Sequence, residues 1–169
     1  MICFVPDSRY PNIESEFYDD ARSTVNNSRM NVGKNHIQHG NTSVFLHSMA
    51  VAYYCDRLSY ILGVKVDRKA LIRGALLHDY FLYDWHKTHT QKLHGLHHPE
   101  AALINAEKDF ELSDIEKEII SRHMFPLTLQ PPKCRESILV CIVDKFCSLY
   151  EVFGRNTYKH LKSKLPSCG

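Results

Sequence analysis

From Ser137 to Phe153 the chain reads SILVCIVDKFCSLYEVF, which is apolar on nearly every side of a helix. A helix of that kind belongs at the centre of a domain. Asp144 stands in its middle. An ionised carboxylate there is expensive unless it is paired or bound to a metal. The ordinary partners are Lys145 and Arg155, but Lys145 is adjacent in sequence and points about 100° away round the helix. Asp144 therefore sets a condition on the fold: other elements must bring compensating groups to it.

The rest of the chain supplies helices to do so. Its 169 residues make one domain, and 7 glycines with 7 prolines are too few turn-formers for an all-β sandwich or barrel. Ile13, Phe17, Ala21 and Val25 form a stripe at helical spacing in a first helix over about 12–27. Asn41 or Thr42 caps a long helix to about Leu62, with Gly63 after it. Asp67 caps the next, to about Tyr80. Phe81–Leu96 has no convincing period and reads as a loop. Pro99 opens a helix in its first turn, and Ser113 to Glu116 has the spacing of a capping box. Arg155–Lys164 forms a short last helix. The expected fold is all-α: a single helical-bundle domain of six or seven helices, with no strand.

Histidine is in excess, with 11 residues, six of them between His78 and His98. It is the commonest metal ligand. His47, His78 and His123 each fall on the inward face of a different helix, where a lone histidine is usually a packed core residue. Together with Asp144 they make four N/O donors from four helices, which is how bundle cores build metal sites. That donor set suits iron, manganese or zinc better than calcium or magnesium. The six cysteines show no CxxC pair and stand outside the set.

The order His47, then His78-Asp79, then Asp144 resembles the HD superfamily of metal-dependent phosphohydrolases. The flanking segments HSMAVA, ALLHD and VDK match as well, and the resemblance covers about residues 36–153. His98-Pro99-Glu100 resembles the element that opens a helix in binuclear members, and His123 takes the place of their next ligand. Similar six-ligand patterns occur in HD-type cyclic-di-GMP phosphodiesterases and diadenosine tetraphosphate hydrolases. The chain has no Gly-Tyr-Pro element, so it departs from the former. The resemblance implies two divalent transition metals, iron or manganese first, with zinc, nickel or cobalt as alternatives. His47, His78, Asp79 and Asp144 would hold one, and Asp79 would bridge to a second on His98 and His123. His94 and His97 compete with His98 for its place.

The implied reaction is hydrolysis of a small nucleotide or related phosphoester or phosphoanhydride by a metal-activated hydroxide, with Asp79 as the catalytic carboxylate. Lys145, Arg122, Lys87 and His39 are the candidates for neutralising the phosphate. His36, Asp84, His86 and His89 are either solvated loop or the mouth of the site. A mixed-valent di-iron oxygenase uses nearly the same ligands and is the alternative; a non-catalytic metal-binding module is the third reading. Net charge is +2, which gives no footprint for a nucleic-acid polymer. No apolar run spans a bilayer, and no signal peptide is visible. A cytoplasmic protein, open to forming a homodimer, is expected.

Overall fold

The computed structural model describes residues 13–26, 28–84, 94–154 and 158–163. Among them lie seven α-helices: α1 (Ile13–Asn26), α2 (Val44–Ile61), α3 (Arg68–Leu77), α4 (His94–Asp109), α5 (Asp114–Arg122), α6 (Arg135–Phe153) and α7 (Lys159–Lys162). A 3-10 turn covers Met30–Asn35, and two short strands, β1 (Ile37–His39) and β2 (Thr42–Ser43), form an antiparallel hairpin. The fold is therefore the expected all-α bundle. The hairpin departs from that expectation: it closes through Ile37 opposite Ser43 and His39 opposite Thr42, too few pairs to leave a period in the sequence. Gly40 makes its turn at φ +55°, with Glu151 O so close that a Cβ would collide with it. The turn is thereby seated on the end of α6.

The helix boundaries follow local chemistry. Thr42 is drawn into β2, so the cap of α2 passes to Ser43, whose hydroxyl accepts from Leu46 N at 3.3 Å. Asp67 caps α3 by accepting from Ala70 N. Ser113 and Glu116 form both halves of the capping box of α5. Two expectations need correction. Helix α3 ends at Leu77 rather than Tyr80. Helix α4 takes in His94–His98 ahead of Pro99, so the proline lies in the second turn, where it removes one backbone hydrogen bond.

Helix α2 packs against α3 and α6, and α3 against α5. Phe17, Val51, Leu71, Ala75, Ile119 and Val140 are all buried in the common core. Arg68 donates to both oxygens of buried Asp56, at 2.7 and 3.1 Å, and to Asp20 at 3.0 Å, which ties α1, α2 and α3 together. Helix α6 is not buried all round. Leu139, Val140, Val143, Asp144, Cys147 and Glu151 face inward, while Ile138, Ile142, Phe146, Leu149 and Phe153 are exposed. The helix lies along the side of the bundle, with α2, α3 and α5 covering one face only. No helix among the described residues is long and apolar enough to cross a membrane.

Helices α3 and α5 meet at Gly74. A Cβ there would stand 2.6 Å from Ile119 Cδ1 and 3.2 Å from Ile119 Cβ and Cγ2. Gly74→Ala is expected to destabilise the protein by about 1–2 kcal/mol, overpacking outweighing the better helix propensity of alanine; urea denaturation reads it. The same interface carries Arg73, which binds both oxygens of the buried Glu116 carboxylate. Burial pushes the Glu116 pKa up, but Arg73 and Ser113 outweigh it and hold the group below its ordinary 4.5. A depressed carboxyl stabilises the fold above its unfolded pKa, and that share is lost as pH falls through the folded value. Arg73→Met should therefore cost about 2 kcal/mol at pH 7, because it strands a buried charge at a site that solvent partly reaches. The difference from wild type should shrink in urea melts taken below pH 4.5.

Candidate metal centre

Six side chains converge where the helices meet, each 6% exposed or less. His47 comes from the first turn of α2, His98 from α4 and Asp144 from the middle of α6. His78 and His123 each stand immediately after a helix, as the C-caps of α3 and α5. Their rings are fixed in the same manner. His78 Nδ1 donates to Ala75 O at 2.7 Å and His123 Nδ1 to Ile120 O at 2.8 Å. Asp79 follows His78 directly.

The Asp79 carboxylate faces two ways. Its Oδ2 lies 3.7 Å from His47 Nε2 and 3.4 Å from His78 Nε2. Asp144 Oδ1 is 3.1 Å from the first of these nitrogens and 3.7 Å from the second. On the other side, Asp79 Oδ1 lies 3.1 Å from His98 Nε2 and 3.5 Å from His123 Nε2, and these two ring nitrogens are 2.8 Å apart. Two overlapping triplets bring their ligand atoms within 4.8 Å of one another: His47, His78 and Asp144, and His78, Asp79 and His123.

This arrangement fits metal ions. A carbonyl oxygen can only accept, so the Nδ1 atoms of His78 and His123 carry hydrogen and a neutral ring bears its lone pair on Nε2. His47 Nδ1 likewise donates to the Glu151 carboxylate, at 2.9 and 3.0 Å. Lone pairs then point at carboxylate oxygens, acceptor against acceptor. His78 Nε2 and Asp79 Oδ1 are buried with no hydrogen-bond partner, which is costly unless a cation satisfies them.

Without metal, protons must serve. Burial opposes the charged form of His47, but Asp144 and Glu151 outweigh it and hold the ring well above its ordinary pKa. Against the same penalty, Asp79 and Asp144 raise His78. Burial would raise Asp79 too, yet His78, His98 and His123 hold it well below the usual range; His47 and His78 do the same for Asp144. Burial and the neighbouring rings push His123 down.

Three supporting residues escaped the sequence reading. Glu151 is fully buried on His47 and accepts from Tyr158 OH at 2.9 Å. Gln38 Nε2 donates to Asp79 Oδ2 at 2.5 Å from the hairpin. Glu151 did carry a signal: it lies seven residues after Asp144, two turns along the same apolar helix. Gln38 and Tyr158, in short irregular segments, carried none.

The other expected residues are scattered. His98 faces the cluster and His97 is exposed; the side chain of His94 lies outside the described residues. The His39 ring packs edge-on to His47 with centroids 5.8 Å apart, and burial lowers its pKa. Lys145 Nζ donates to His123 O and Cys141 O, at 2.8 and 3.1 Å, and Arg122 to Pro131 O at 3.2 Å. Both cations are thus engaged with backbone. His36 Nδ1 is 4.0 Å from Asp84 Oδ2. Lys87, His86 and His89 lie outside the described residues.

The family model described as HD domain matches residues 44–149. That span is more than half of the chain, and the chain belongs to the HD-domain family. No curated protein and no solved structure matches it. Proteins with this domain bind divalent metals and are mostly metal-dependent phosphohydrolases, and the buried His/Asp cluster is compatible with such a metal-binding site.

Glu151 gives a direct check on the cluster. Glu151→Ala should weaken metal binding by about 10–100-fold, since it frees the His47 ring and its tautomer. Glu151→Gln, whose amide oxygen still accepts from Nδ1, should lose less. Calorimetric titration of the metal-free protein with Mn²⁺ or Fe²⁺ measures both.

Proposed function

We propose that the protein is a binuclear metal-dependent phosphohydrolase acting on a small nucleotide-like phosphoester or phosphoanhydride. The observation that carries this reading is the two-sided Asp79 carboxylate, one oxygen toward His47 and His78 and the other toward His98 and His123. His47, His78, Asp79 and Asp144 would hold one ion, and Asp79, His98 and His123 the other. A mixed imidazole and carboxylate set favours iron or manganese, with zinc, nickel and cobalt able to substitute. Bound there, two divalent ions supply Lewis acidity, polarising a phosphoryl group and acidifying water near neutral pH.

The chain's own residues organise that chemistry. Asp79 sets the separation of the two ligand groups and offers a carboxylate to orient the attacking water. Glu151 and the carbonyls of Ala75 and Ile120 hold three rings with Nε2 inward, so these three need not turn for the ligand set to assemble. Asp144 and Asp79 supply negative charge that keeps the ions in place. His39, beside His47, is the side chain best placed among the three described candidates to meet a phosphate oxygen. Lys145 and Arg122 act through the backbone they hold.

A panel of nucleotides, dinucleoside polyphosphates and simple phosphoesters, tested with the metal-loaded protein, decides the matter. Release of phosphate or nucleotide should require metal, and Asp79→Asn and His78→Ala should each lower kcat by more than about 100-fold, beyond the loss typical of outer-shell changes. Hydrolysis should continue without oxygen. Turnover that stops under anaerobic conditions would instead identify the di-iron oxidative chemistry.

A further inference from the structure

The exposed face of α6 is the largest feature that the metal centre leaves unused. Ile138, Ile142, Phe146, Leu149 and Phe153 form a continuous stripe on it, each between 42% and 79% exposed. Flanked by Tyr150 and Val152, the stripe presents roughly 700 Å² of side chain, larger than the apolar patches of most monomers. It is close to the about 800 Å² that each partner contributes to a stable interface. Between Ile138 and Phe153 the one exposed charge is Lys145, since Asp144 and Glu151 are buried. The ammonium of Lys145 is held by the carbonyls of His123 and Cys141, which leaves its methylene stem to cover apolar surface.

We propose that this face pairs with a second copy of the chain, the two α6 helices running antiparallel across a two-fold axis. The spacing of the stripe is what selects this occupant. Ile138, Ile142, Lys145 and Leu149 follow one another at intervals of four, three and four residues, the period of a helix seam. The pattern is also symmetric about the point between Lys145 and Phe146. Reversing the helix sets Ile142 of one copy opposite Leu149 of the other, Ile138 opposite Phe153, and the Lys145 stem opposite the Phe146 ring. An isologous interface needs a surface complementary to itself, and an uncharged palindromic stripe is one. A charged partner would find no opposite charge here. The metal centre lies on the opposite side of α6, so pairing leaves it open.

Light scattering on the full chain, together with two charge variants, tests the pairing. Wild type should have twice the 19.6 kDa monomer mass at micromolar concentrations. Ile142→Lys and Leu149→Asp should each fall to the monomer mass with unchanged far-UV circular dichroism, because both side chains are already exposed in the monomer. Mixing the two variants should restore a dimer, as should combining both changes in one chain, since the antiparallel register places the new lysine against the new aspartate. Phe146→Lys, which meets Lys145 of the other copy, should give a monomer. A wild type of monomer mass throughout overturns the proposal, as do single variants that remain dimeric. Failure of the mixed variants to associate overturns the antiparallel register.

Discussion

One buried carboxylate organises this molecule. Asp79 cannot be left ionised and unpaired in a helical core, and it is met from both sides by rings drawn from α2, α3, α4 and α5. Asp144 and Glu151 add two further acids beneath the same rings. The bundle's arrangement follows from this demand: α2, α3, α5 and α6 must approach closely enough to surround one point. Close contacts such as Gly74 against Ile119 are what permit it.

The sequence showed most of this because the relevant residues sit on long regular helices. His47, His78, His123 and Asp144 were legible as polar residues on inward faces, and the all-α class followed from helical periodicity with few turn-formers. What stayed hidden lies in short elements. Gln38 arrives on a hairpin too brief to leave a pattern, and Tyr158 begins a four-residue helix. Helix α6 misled for a different reason. Hydrophobicity all round predicts burial all round, but composition alone does not separate a central helix from a lateral one with a second apolar face. The same residues that concealed its position disclose the pairing surface.

The candidates for neutralising a phosphate are the least legible part. Lys145 and Arg122 are two of the candidates the sequence offers, and both are bound to backbone carbonyls. A long flexible side chain has too many rotamers for its end to be placed by the position of its Cα. Histidine has a short one, and the His39 ring lies against His47.

The contact between His47 and Asp144 joins residues 97 positions apart. During synthesis from the N-terminus, five of the six converging side chains precede the carboxylate that completes them. Until α6 has been made, His47, His78 and Asp79 lack the Asp144 carboxylate that they face in the folded chain. Contacts of such separation are the slow ones to form, and the cluster waits on the helix that carries Asp144.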